Sequence, residues 1–392
     1  MKILLANKFY YPRGGDCIYT LNVESLLKNK GHEVAIFAMQ HPENLPSTYQ
    51  HYFPSETTFS LFTSLLESFQ RPLGSKEVIQ KFNYLVDDFQ PDIVHLNNIH
   101  SQLSPVIAKI AYQRGIKVVW TLHDYKLLCP RYDCLRNGYT PCEQCFSDKI
   151  KVIKNRCMKN SLPASFLSYL EAIKWTKEKL EKYTTTFIAP SRFISAKMIQ
   201  GGFDAGKIVI LNNFIDIKKT EYEPFQKEDY YAYVGRLSIE KGINTLVKTA
   251  QQLPYKLKIA GTGPLWTDLK KNVSPENIEW LGHQSWPEIK ELVGKARFTI
   301  IPSEWYENNP LSALESLCLG TPVLGANIGG IPELIEEEKN GMLFDSKNEN
   351  DLKDKIEIMF SKEFDYQSIA KESCKRYAAE HYYTEIMKIY QQ

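Results

Sequence analysis

Short apolar runs alternate with longer stretches of helical spacing along most of this chain. Residues 2–6 form an apolar run that reads as a buried parallel strand. A turn follows at Tyr11-Pro12-Arg13-Gly14-Gly15. Residues 18–29 carry apolar side chains at Ile18, Leu21, Leu26 and Leu27, the repeat of a helix, which Gly31 stops before the next strand at 33–38. This is a strand–helix–strand unit. Residues 92–96 and 117–122 read as further buried strands, and Phe187-Ile188-Ala189-Pro190-Ser191-Arg192 ends the first sheet. Residues 209–211 lead through Asn212, Asn213 and Asp216 into a polar linker at 218–229, so a second domain starts near Asp216. Strands are expected there at 231–234, 257–260, 278–281, 298–301 and 322–324, with helices between them, and a last helical segment begins near Tyr366. The fold class is therefore α/β, with an N-terminal domain at 1–215, a second at 216–365 and a helical tail at 366–392.

A length of 392 residues agrees with at least two hydrophobic cores. With 43% hydrophobic and 24% charged residues the composition is that of a soluble globular protein. A formal net charge of +2 gives no support to a nucleic-acid partner, which calls for a basic excess. The start, MKILLANKFY, is too short an apolar run for a signal peptide or a membrane span. The expected location is the cytoplasm, with contact at the inner face of the membrane left open.

Candidate chemistry concentrates in residues 302–315, PSEWYENNPLSALE. Asn309 is a good helix N-cap and Pro310, which has no N–H to leave unpaired, a good first helical residue, so the free N–H groups of Asn308, Asn309 and Leu311 in this turn can face an anion, with Glu307 beside them. Glu315 follows about two turns on. Two such carboxylates suit a polyhydroxylated ligand. Upstream, GRLSIEKG places Arg236 and Lys241 directly after a strand, a fork and a point charge suited to a diphosphate. Two more glycine turns follow, AGTGP at 260–264 and GTPVLGANIGGIPE at 320–333.

Together these motifs resemble the retaining glycosyltransferases of family 4, and the resemblance covers nearly the whole chain. It implies two facing Rossmann-like domains of the GT-B type, the first (1–215) binding the acceptor and the second (216–365) the nucleotide sugar, with a C-terminal helix crossing back to the first. It implies Arg236 and Lys241 on the diphosphate of a nucleotide-sugar donor, Glu307 on donor-sugar hydroxyls and Glu315 on the ribose diol. Gly282 and His283, at a strand end, correspond to the place of the nucleobase. His123 ends a strand, beyond which open parallel sheets bind ligands, and the resemblance gives it a contact with the donor sugar. Gly14 and Gly15 either admit a donor group to a helix N-terminus or merely permit a tight turn. The implied reaction is retaining transfer to an acceptor hydroxyl without a metal or other cofactor, since no Asp-x-Asp site stands at a strand end. The acceptor is a saccharide or a lipid-linked saccharide, and the implied pathway is surface polysaccharide or glycolipid assembly. A nucleotide-sugar epimerase on the same fold would need no acceptor, and a non-catalytic nucleotide-sugar-binding subunit would show no turnover.

Three segments stand outside this picture. Five of the eight cysteines, Cys129, Cys134, Cys142, Cys145 and Cys157, cluster in one loop, where a structural zinc ion or free thiols are the alternatives. Residues 166–180 read as an amphipathic helix with Phe166, Leu170 and Ile173 on one stripe, facing either the domain's own core or, with the basic stretch 149–159, an anionic lipid surface. The stretch 41–59, rich in Pro, His and aromatics, reads as an acceptor-binding lid or a disordered excursion.

Overall fold

The computed structural model describes residues 1–57, 65–215, 224–272 and 276–392. The expected domain start at Asp216, much of the linker 218–229 and the end of the stretch 41–59 lie outside the described residues. Two compact units emerge, one made of residues 1–137, 142–212 and 383–392, the other of 138–141 and 213–382.

The first unit holds a six-stranded parallel sheet in the order Glu33–Phe37, Lys2–Ala6, Ile93–Leu96, Lys117–Thr121, Thr186–Ala189, Ile208–Ile210. Helices cover both faces, so its inner strands are apolar almost throughout, as Ile3, Leu4, Leu5, Val94 and Val119 illustrate. Chain order reverses between Lys2–Ala6 and Ile93–Leu96, which opens a crevice beyond their carboxyl ends. The sheet does not end at Ala189, as the sequence reading expected. Ile208–Ile210 pairs beside that strand, and its half-exposed edge explains why its apolar signal is short.

The second unit repeats the plan in the order Ile278–Gly282, Lys256–Ala260, Glu228–Val234, Ala296–Ile301, Val323–Ala326, Gly341–Phe344, again parallel. Here the reversal falls between Glu228–Val234 and Ala296–Ile301. Its core packs Tyr231 on Phe298 at 5.3 Å, with Phe360 edge-on to both. The strand Gly341–Phe344 was not expected, because only four residues separate a charged turn from a polar one.

The helix expected at 166–180 is two, Leu162–Lys174 and Lys177–Tyr183, broken at Trp175 and Thr176. The apolar stripe does not face the core: Phe166 and Ile173 are exposed, and the buried positions are Ser165, Ser168 and Glu171. The chain ends in the helix Ala379–Gln391, whose residues from Tyr383 onward belong to the first unit. Buried His95 anchors them, its Nδ1 2.7 Å from Tyr390 Oη and its Nε2 2.7 Å from Thr121 Oγ1.

Burial, with a smaller push from His123, lowers the His95 pKa from 6.5 to about 3. Below pH 6.5 the unfolded chain takes up a proton that the folded one refuses, so this contribution to stability is complete above 6.5 and shrinks as pH falls. Urea unfolding at pH 5 should therefore give a stability roughly 2 kcal/mol lower than at pH 6.5 from this residue. Equal stabilities at the two pH values would contradict the burial of a neutral His95.

Candidate functional site

In the second unit, the loops after the two strands flanking the order reversal are drawn together. Gly242 sits at φ 69°, and a Cβ there would stand 1.8 Å from the Pro302 carbonyl oxygen, so only glycine lets the first loop lie on the second. Glu304 N donates to Glu240 O at 2.9 Å and Thr245 Oγ1 to Glu304 Oε1, fastening the same approach. Gly261, at φ 132°, performs the corresponding task for AGTGP: its Cβ would stand 1.9 Å from Gly235 O, and Gly235 N donates to Ala260 O at 3.0 Å.

This approach sets Lys241 Nζ 2.6 Å from Glu307 Oε1. The same oxygen accepts Ser303 Oγ at 2.8 Å and Trp305 Nε1 at 2.9 Å. Burial alone would raise the Glu307 pKa, but the Lys241 charge and these hydrogen bonds outweigh it and hold the group ionised. Glu307 Oε2 takes no hydrogen bond among the described residues. Arg236, on the same loop as Lys241, is exposed, and among the described residues its guanidinium makes no ion pair. The arrangement offers two cations and an open carboxylate oxygen within one pair of loops.

The helix behind them is Leu311–Cys318, and its N-cap is Pro310 rather than Asn309. Asn309 is taken by another partner: its Oδ1 accepts Asn213 N at 3.0 Å and its carbonyl accepts Asn213 Nδ2 at 2.8 Å. Asn308 precedes this pair, and Glu315 lies half-buried in the second turn of the helix. The carbonyl of Gly282 accepts Gly261 N at 2.7 Å, and His283 beside it is exposed.

In the first unit, His123 follows Lys117–Thr121 and donates from Nε2 to Asn97 Oδ1 at 3.0 Å, with Tyr19 edge-on at 4.7 Å. Burial lowers its pKa, while the charges of Asp16 and Asp124 oppose that and Lys8 adds to it. Asp16 belongs to the first turn of the helix Gly15–Asn29, capped by Gly14, so the structure brings that helix start and His123 into one neighbourhood. Gly14 is extended and neither glycine has a positive φ. A Cβ on Gly15 would meet nothing within 4 Å, and that open space suits a ligand group at the helix start. Sequence reasoning missed Ser303, Trp305 and Asn97, although the first two flank Glu307 and were within sight of it.

Cys129 shares hydrogen bonds with Cys134 and Cys145, which lower its pKa well below the usual thiol value, while theirs rise. Cys145 and Cys157 pack with Val152 in a small apolar cluster, and Cys142 is half-buried. All are free thiols. Among the described residues no group of three or more His, Cys, Asp or Glu side chains is placed to hold a metal ion. The zinc alternative for Cys129, Cys134, Cys142, Cys145 and Cys157 therefore rests on their clustering in the sequence alone.

Two family models match the chain. Glycosyltransferase Family 4 matches residues 14–219, and Glycosyl transferases group 1 matches residues 214–381. A 42.6 kDa uncharacterized protein in the cps region of Klebsiella pneumoniae is 25% identical over 363 residues, 85% of this chain and 87% of that one. The N-acetyl-alpha-D-glucosaminyl L-malate synthase of Bacillus anthracis is 22% identical over 352 residues, 88% of this chain and 84% of that one. Among solved structures, Anabaena Alr3699/HepE in complex with UDP superposes with a TM-score of 0.70 at 16% identity, covering 99% of each chain.

Proposed function

This chain belongs to glycosyltransferase family 4 and has the GT-B fold, and from that premise we propose that it moves a sugar from a nucleotide-sugar donor to an acceptor hydroxyl with retention of configuration. The observation that carries this reading is the Lys241–Glu307 pair at 2.6 Å, standing where the second sheet reverses its order. Arg236 and Lys241 receive the diphosphate, whose negative charge grows as the glycosidic bond breaks. Glu307 Oε2 accepts a hydroxyl of the donor sugar. Glu315 takes the ribose diol, the backbone at Asn308–Leu311 lies toward phosphate, and Gly282 with His283 meets the base. His123, with the helix start at Gly14 and Gly15, is assigned a donor-sugar contact on the family resemblance. The departing phosphate oxygen takes the acceptor's proton as the acceptor oxygen bonds to the anomeric carbon, so no enzymic base and no metal ion enters the step. UDP in the HepE structure supports a nucleoside diphosphate as the donor's leaving group, and the relative in a cps region supports a saccharide acceptor and surface polysaccharide assembly.

Among the described residues no helix is long and apolar enough to cross a membrane. We infer peripheral contact with anionic lipid through Ile150, Leu162, Phe166 and Ile173, all exposed, beside exposed Lys154, Lys159 and Lys174. Flotation with phosphatidylglycerol vesicles should be lost in Phe166→Glu with Ile173→Glu; unchanged flotation, or none in the parent protein, would sink this inference.

A thermal-shift screen of UDP-, GDP-, ADP- and dTDP-sugars identifies the donor, because a ligand that binds only the folded state raises its stability. With that donor, Arg236→Ala and Lys241→Ala should each lower turnover roughly a hundredfold with the circular dichroism unchanged. Near-parental rates in both would contradict the phosphate role, isomerised donor without acceptor would indicate an epimerase, and binding without turnover a non-catalytic subunit.

A further inference from the structure

The helix Leu162–Lys174 is inside out. Its polar residues Ser165, Ser168 and Glu171 are buried while Leu162, Phe166 and Ile173 face solvent. Its inward side borders a cavity of about 310 Å3 in the first unit, lined among others by Lys126, Leu128, Phe146, Glu171, Trp175 and Phe203. That volume is at the lower end of the roughly 300–1,000 Å3 of small-molecule sites.

Glu171 is the buried carboxylate of this cavity, its side chain 5% exposed. Its Oε2 receives Lys126 Nζ at 2.8 Å and Ser101 Oγ at 3.1 Å. Its Oε1 has no hydrogen-bond partner, and neither has His100 Nδ1, which stands 3.7 Å away. Burial pushes the Glu171 carboxyl up, but Lys126 and His100 outweigh it and hold the pKa down to about 2, so the orphaned atom is a carboxylate oxygen. A buried ion pair with an unmet acceptor is poor design for stability alone.

The unmet groups select the ligand. The three lysines of the cavity are engaged, Lys126 also with Pro130 O at 2.6 Å, Lys149 with Leu128 O and Lys177 with Gly202 O at 2.8 Å, so no free ammonium awaits an anion. What remains is one acceptor beside one ring nitrogen. A hydroxyl satisfies both, donating to Glu171 Oε1 and accepting from His100 Nδ1–H. The rings of Trp175 and Phe146 supply flat apolar walls suited to the C–H face of a sugar.

We propose that this cavity binds one pyranose unit of the acceptor saccharide, with a sugar hydroxyl on Glu171 Oε1 and His100 Nδ1. The assignment rests on the reading of the first unit as the acceptor side. A single ordered water would satisfy the same two atoms, and the test separates the two.

Methyl glycosides of glucose, galactose, mannose, N-acetylglucosamine and N-acetylgalactosamine would be examined by saturation-transfer NMR with the full chain, without nucleotide. At least one should bind. Glu171→Gln should weaken it tenfold or more. Ala172→Phe, which fills the cavity from a half-buried helix position and leaves Glu171, His100 and Lys126 unchanged in sequence, should abolish binding while the melting temperature and nucleotide binding stay at parental levels. The proposal is overturned if no glycoside binds the parent protein, or if binding survives Ala172→Phe. Failure of every nucleotide sugar to bind would instead remove the glycosyltransferase reading and leave the glycoside result standing.

Discussion

A carboxylate buried at the head of a helix persists as an anion only if a cation and several donors meet it, and Glu307 has all of these on one oxygen. That constraint fixes much else in the second unit. Lys241 reaches Glu307 because Gly242 allows the loop after Glu228–Val234 to rest on the Pro302 carbonyl. Gly330 N binds the Glu307 carbonyl at 2.6 Å from behind, so the GGIPE turn supports the same residue. With one oxygen occupied and the other open, the carboxylate is both an anchor for Lys241 and an acceptor aimed at a ligand. Removing either partner leaves the other's charge poorly compensated, so the pair acts as a unit.

The parallel strands were legible because a strand buried on both faces must be apolar almost continuously, and runs such as Lys2–Ala6 leave little choice of period. The site loops were legible because glycines, cations and carboxylates recur where strands end. Glu307 and Lys241 were placed by motif in separate tasks, sugar and phosphate. The structure joins them in one ion pair, which no spacing of 66 residues could announce. Asn309 illustrates the opposite failure: an Asn before Pro reads as a cap, yet a second Asn at 213 claimed its side chain first.

The segment between Cys129 and Lys174 was the least legible, since local pattern and tertiary demand disagree there. Phe166 and Ile173 form a stripe that periodicity assigns to a core, but the inward side of that helix carries Glu171 and faces Lys126, His100 and a cavity. A conflict between local preference and fold is expected where function, rather than packing, decides which residue is retained. The cysteines belong to the same loop: three of them satisfy one another, an arrangement their irregular spacing gave no means to foresee.

The central claim is that Lys241 and Glu307 work on the donor as one device, and a double-mutant cycle tests it most directly. kcat/KM for the donor would be measured in the parent, Lys241→Met, Glu307→Gln and the double variant. The account predicts strong non-additivity, the double variant losing little more than the worse single one, because each substitution already dismantles the pair. Losses that add to within about 0.5 kcal/mol would show two independent residues and contradict it.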